Sequence, residues 1–242
     1  ERAHRDATYE EVLHLVQGHG LAPVDATLQH RIAKQADQAL MDRIWNPTAD
    51  DVAEWRAETD PVRGNSVSYE YFASAVEAYY GLWAHGSEGM DGYQGYSRTL
   101  QQSKDPKAVA LIESLFSKQI VTSVRIDESF PDGETFLMTF DKSKPYTHQS
   151  QYLLNVELSG STNSHLTGNS HNNQLKGNTG NNRIDGGAGT DTVRVSGFRD
   201  EYDLNVGQNQ VLLKDKVANR DGSDTLINIE RIEFRDQTLE LR

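Results

Sequence analysis

Residues 166–193 read LTGNSHNNQLKGNTGNNRIDGGAGTDTV, and the spacing within them decides how the rest of the chain is read. In steps of nine, Leu166, Leu175, Ile184 and Val193 share one phase, Gly168, Gly177 and Gly186 a second, and Asn173, Asn182 and Asp191 a third. Each step is six polar residues rich in Gly and Asn, then three residues with one large apolar side chain. Gly and Asn tolerate positive φ, so the polar six suit a tight repeated turn. The other three suit a short strand whose apolar residue points inward and stacks on the next repeat, as in a solenoid. No repeat buries enough surface alone, so three or more must stack. A flexible Gly/Asn linker gives no reason for an apolar residue to stay in register over three nine-residue steps.

The segment Gly186-Gly187-Ala188-Gly189-Thr190-Asp191-Thr192-Val193 follows the pattern G-G-x-G-x-D-x-U. On these residues the stretch resembles the calcium-binding β-roll of RTX (haemolysin-type) proteins. The resemblance implies Ca2+ as cofactor, with calcium-site positions at Asn173, Asn182, Gly186, Gly187, Gly189 and Asp191. It also implies that successive turns alternate between two edges, so that turns eighteen residues apart share an ion. That pairs the turn ending at Asn173 with the one ending at Asp191. The two earlier repeats depart from the pattern, with Asn at the second glycine position and Asn in place of Asp. Calcium takes about six to eight oxygens and gains affinity from ligand charge. The neutral turns are therefore expected to bind weakly or to stack as Asn ladders. If Asp191 is the sole working ligand, a calcium-independent solenoid remains an open reading.

The chain has 242 residues, enough for one large domain or two small ones, and a formal charge of −12. That charge argues against nucleic acid or an anionic membrane surface as partner. There is no cysteine. This suits export in an unfolded state, although cysteine usage alone does not fix the compartment. No apolar run reaches membrane-spanning length and no signal peptide is visible. The chain starts at Glu1 without Met and reads as a fragment truncated at its N terminus.

Residues 1–118 read as a helical domain. A first helix over Thr8–Gln17 is expected to stop at Gly18 and Gly20. A second spans Asp25–Trp45, with Leu28, Ile32, Ala36, Leu40 and Ile44 near a 3.6-residue period. Thr48-Ala49-Asp50-Asp51 reads as a capping box for a helix through Glu58. Ser68–Trp83 is rich in aromatics, Gly86–Tyr96 is a Gly-rich loop, and Asp105-Pro106 opens a further helix. From Gln119 the period changes. Strands are expected at Ile120–Ile126, Thr135–Phe140, Tyr202–Val206 and Gln210–Leu213, and Tyr152–Leu158 leads into the repeats. The closing segment Arg220–Phe234 resembles the one that follows the β-roll in RTX proteins and serralysin-type proteases, and would cover the open end of the roll. Within it, Asp221 and Asp224 are either further calcium ligands or members of a hydrogen-bonded turn.

In the N-terminal half, Glu10 and His14 are i and i+4 on one helix, and Glu11 follows the first of them. This is the spacing of H-E-x-x-H with Glu10 in the place of the first His. Glu70 to Glu77 on the aromatic helix is similar to the ligand-bearing helix of gluzincins of the lethal-factor type. By that resemblance Glu10, His14 and Glu70 would hold Zn2+, and Glu11 would be the general base. Two carboxylates and one imidazole place more negative charge on the metal than two histidines do, which weakens its polarisation of water and suits other divalent ions as well. A decayed protease fold is the alternative. The bland account is a Thr8–Glu11 capping box with an ordinary exposed Glu10–His14 pair.

The expectation is thus an α+β chain of several domains: a zincin-like helical domain over 1–118, a β-strand connector over 119–157, a calcium-binding parallel β-roll over 158–197 and a β cap over 198–242. The expected partners are calcium ions and a peptide substrate or surface partner. The resemblance implies secretion to the extracellular medium by a one-step (type I) system, with folding driven by calcium outside the cell.

Overall fold

The structure, a computed structural model, describes residues 8–60, 64–83 and 88–241. The chain is α+β and divides into two compact units, Glu1–Lys118 and Gln119–Arg242.

The first unit is helical. Helix α1 (Thr8–Leu15) does not stop at the glycines: Val16–Leu21 continues as a π-helical turn and Ala22–Val24 as one more helical turn. Glycine ends a helix when it takes the left-handed conformation, and neither Gly18 nor Gly20 has a positive φ. The break falls instead at Asp25, whose side chain accepts from Leu28 N at 2.9 Å and caps α2 (Ala26–Met41). Helix α2 is shorter than its periodicity suggested. The chain turns at Arg43 (φ 55), and Trp45 is buried off the helix, stacked on Trp55 at 5.5 Å. Helix α3 (Ala49–Ala57) carries the capping box, with Thr48 and Asp51 each accepting from the other's backbone N–H. Every residue of α4 (Val67–Tyr80) except Glu70 is buried, which makes it the central helix of the unit, and it ends on left-handed Gly81.

Helices α5 (Arg98–Lys104) and α6 (Pro106–Leu115) complete the packing. Asp105 caps α6 through Ala108 N, and its buried carboxylate also accepts from Tyr71 Oη at 2.6 Å, Tyr93 Oη at 3.0 Å and Gln35 Nε2 at 2.9 Å. One carboxylate thereby ties α2, α4 and α6 together. The first two residues of the Gly-rich loop, 86 and 87, lie outside the described residues; the part that follows contains a 3₁₀ turn, Met90–Gly92.

Among the described residues the second unit has twelve strands in two six-stranded mixed sheets, ordered β1-β3-β5-β7-β11-β12 and β2-β4-β6-β10-β9-β8. From β1 (Ile120–Ile126) through β2 (Thr135–Leu137), β3 (Leu153–Leu158), β4 (His165–Thr167), β5 (Gln174–Lys176), β6 (Arg183–Asp185) and β7 (Thr192–Arg194), successive strands alternate between the sheets. Each of the first five pairs in parallel with the strand two places on. The segment read as a connector therefore supplies strands of both sheets. The second strand ends at Leu137 rather than Phe140, which is exposed.

A hairpin, β8 (Tyr202–Val206) and β9 (Val211–Asp215), then interrupts the winding before β10 (Ser223–Ile227) and β11 (Arg231–Glu233) resume parallel pairing with β6 and β7. Antiparallel β12 (Thr238–Glu240) closes one sheet and the hairpin closes the other. Register places Val156, Leu175, Val193 and Ile232 in one buried row, and Phe136, Leu166, Ile184 and Leu226 in another. Both rows belong to one hydrophobic core. A three-residue strand has almost no stability of its own. Each buried Val, Leu or Ile contributes roughly 1.5–3 kcal/mol, so the rows rather than the single strands hold this unit.

Candidate functional site

The polar turns between the strands form two ladders, because residues eighteen apart lie one coil apart. On one edge, Asn173 N donates to Asp191 Oδ1 at 2.7 Å, and Asp191 N donates to Glu230 Oε2 at 2.8 Å. On the other, Asn182 N donates to Asp224 Oδ1 at 2.8 Å. Flanking residues repeat the motif: Thr190 N donates to Asn172, Asn181 N to Asn163 and Ser223 N to Asn181, each at 2.9 Å.

Within the first two turns the side chains also close on themselves. Asn173 Oδ1 accepts from Asn169 N and Asn182 Oδ1 from Asn178 N, both at 2.9 Å. The third turn differs. Gly187 (φ 89) and Gly189 (φ 133) take left-handed backbone, and added Cβ atoms there would come within 2.6 Å of Asn169 O and 2.8 Å of His171 O. A Cβ on Gly186 would lie 2.3 Å from Asn228 O and 2.6 Å from Asp191 Oδ2. Only glycine leaves this space open. Asp191 is fully buried, and among the described residues its Oδ2 has no hydrogen-bond partner.

Burial, partly offset by the Asn173 N–H and reinforced by the nearby Glu230 and Asp185 carboxylates, pushes the Asp191 carboxyl up to about 6. Asp224, also buried, is pushed up to about 8, again chiefly by burial. Both groups are costly to ionise without a compensating positive charge. Asp221 is differently placed. Its carboxylate accepts from Ser196 N at 2.7 Å, Ser196 Oγ at 2.8 Å and the Tyr202 hydroxyl, so its oxygens serve the hairpin.

Glu230 and the pair Asn169 and Asn178 take part in the ladders although sequence spacing did not single them out. The hairpin puts Glu230 thirty-nine residues from Asp191 and so hides it from a nine-residue period. The two asparagines were visible only as the repeated departure from the second glycine.

In the first unit, α1 and α4 bring ligand atoms of Glu10, His14 and Glu70 within 4.8 Å of one another, all partly buried. His14 Nε2 lies 3.8 Å from Glu70 Oε1. His14 and Glu11 also line a cavity of about 310 Å³, together with His19, Glu58, Asp60 and Tyr69. Glu11 is exposed beside the cluster rather than part of it.

The sequence model of the RTX calcium-binding nonapeptide repeat matches residues 167–201 in four copies. The turns ending at Asn173, Asn182 and Asp191 lie within the matched residues, and Asp224 and Glu230 lie beyond them. No curated protein matches the chain. Among the described residues no helix is long and apolar enough to cross a membrane.

Proposed function

We propose that the parallel windings within Gln119–Arg242 form a calcium-loaded β-roll and that the chain is a secreted RTX-type protein whose roll, closed at its neutral turns without metal, completes its folding on meeting extracellular calcium. The observation that carries this reading is the Asp191 carboxylate, fully buried and with Oδ2 lacking a donor, in a glycine-lined turn inside the matched repeats. Asp191 Oδ2 and the carbonyls of Asn169 and His171 facing Gly187 and Gly189 supply oxygens of the kind calcium takes. Bound calcium supplies the positive charge that lets Asp191 ionise in place, so binding free energy becomes folding free energy. Asp224 is the corresponding carboxylate of the other edge. The test is a calcium titration of the chelated chain followed by circular dichroism, with bound calcium measured in parallel. Gain of β signal that saturates with bound calcium and is lost in Asp191→Asn supports the reading. An unchanged spectrum with no bound calcium refutes it.

A second reading has its own observation, the convergence of Glu10, His14 and Glu70 beside a cavity. In it the first unit is a gluzincin-like zinc metallopeptidase, active or degenerate. His14, Glu10 and Glu70 hold the metal, Glu11 is the general base and a peptide is the substrate. Stoichiometric zinc that is lost in His14→Ala supports it. Absence of zinc uptake by the wild-type chain removes it.

A further inference from the structure

Two positions of the repeat change together along this chain. Where the turn ends in Asn173 or Asn182, the residue four places earlier is Asn169 or Asn178; where it ends in Asp191, that residue is Gly187. The structure gives a reason for the coupling. Asn182 Nδ2 donates to Ser164 O at 2.7 Å, one coil back, and to Asn178 Oδ1 at 3.0 Å in its own turn. Asn173 Nδ2 donates in the same way to Leu154 O at 3.3 Å and Asn169 Oδ1 at 3.0 Å. Asn178 Nδ2 and Asn169 Nδ2 continue the chain to Ser159 O at 3.1 Å and Leu153 O at 2.8 Å.

An NH2 group carrying partial positive charge thus sits among oxygens from two successive coils. In the turn at Asp191 a carboxylate stands in place of that carboxamide: Oδ1 accepts from Asn173 N of the preceding coil at 2.7 Å, Oδ2 lies beside Gly186 with no donor among the described residues, and Gly187 has no side chain to fill the space.

We infer, resting on the calcium-binding reading of the turns, that the Asn173 and Asn182 carboxamides replace a bound cation, with Asn169 and Asn178 as the acceptors that complete the exchange. Turns 168–173 and 177–182 close without metal, and the calcium requirement of the roll is confined to its buried carboxylates. Asn173 and Asn182 are then the residues that decide which turns take an ion. Replacing either by Asp sets a carboxylate oxygen against the carbonyl and the Asn Oδ1 that now accept from it. That arrangement is repulsive unless a cation enters.

The test compares the full chain with Asn182→Ala and Asn182→Asp, in chelator and in millimolar calcium, by thermal unfolding and by counting bound calcium. Asn182→Ala is expected to lower the melting temperature by the same amount in both conditions, because the lost bonds are metal-free. Asn182→Asp is expected to melt lower than wild type in chelator, to recover in calcium and to bind one more ion than wild type. A cost of Asn182→Ala seen only in calcium, no cost in chelator, or an Asn182→Asp variant that binds no more calcium than wild type overturns the inference. The alanine arm in chelator and the ion count relative to wild type are read whether or not wild type binds calcium, whereas failure of the calcium reading itself shows as a wild-type count of zero.

Discussion

Replacing Asp191 by Asn tests the central site through a reversal of sign. In the metal-free chain the Asp191 carboxyl is raised from 3.8 to about 6, chiefly by burial. A shift of roughly 2 units corresponds to about 3 kcal/mol held against the ionised form. Because the folded-state value lies above the unfolded one, that cost is absent below about pH 4, grows as pH rises and is complete above about pH 6. Asparagine stands in for the neutral carboxyl: its Oδ1 keeps the bond from Asn173 N, which is 2.7 Å long in the wild-type chain. Asp191→Asn should therefore be more stable than wild type in chelator at pH 8 by up to about 3 kcal/mol, a rise on the order of 10 °C for a unit of this size. At pH 4 the two should melt together. In calcium at one hundred times its dissociation constant the wild type gains about 2.7 kcal/mol, and the advantage of the variant should close or reverse. Thermal unfolding by circular dichroism at both pH values, with chelator and with calcium, reads all four conditions. A variant less stable than wild type in chelator at pH 8 would refute the reasoning, since the buried carboxylate would then not be a liability without its cation.

Asp224 extends the same logic to the other edge. With its folded value pushed up to about 8 by burial, the unfolding free energy of the metal-free chain from urea titrations should fall between pH 5 and pH 8, by up to about 1.4 kcal/mol per pH unit, and Asp224→Asn should flatten the profile. Leu175→Ala removes a fully buried member of the row Val156–Leu175–Val193–Ile232 and should cost about 2–5 kcal/mol in equilibrium unfolding, with or without calcium. Gly186→Ala places a Cβ 2.3 Å from Asn228 O and 2.6 Å from Asp191 Oδ2, so it should abolish calcium-dependent gain of β signal. A wild-type titration of that variant would show that the turn is not closed as described.

The nine-residue phase of Leu166, Leu175, Ile184 and Val193, the caps at Thr48 and Asp105, and the change of period near Gln119 were legible in the chain because each depends on neighbours within a turn or two. A strand of three residues needs one inward apolar side chain, and a helix start needs one acceptor at the right offset. Which strands lie beside one another is a different kind of fact. Strands β1, β2 and β3 carry no nonapeptide pattern, yet they pair with the repeats because Val156 and Phe136 fill the next places in the two apolar rows. Asp224 and Glu230 reach the ladders across forty-two and thirty-nine residues because the β8–β9 hairpin is looped out of the coil. The i, i+4 relation of Glu10 and His14 is written in one helix, but Glu70 joins them only because α4 packs beside α1. Gly18 and Gly20 failed as stops because glycine permits the left-handed turn without requiring it, and the buried bonds of Gln17 to Gln29 and Ser68 hold that segment in helical turns. Local periodicity determined the elements. Burial shared between distant segments decided their partners, and through them where a carboxylate is left without a donor.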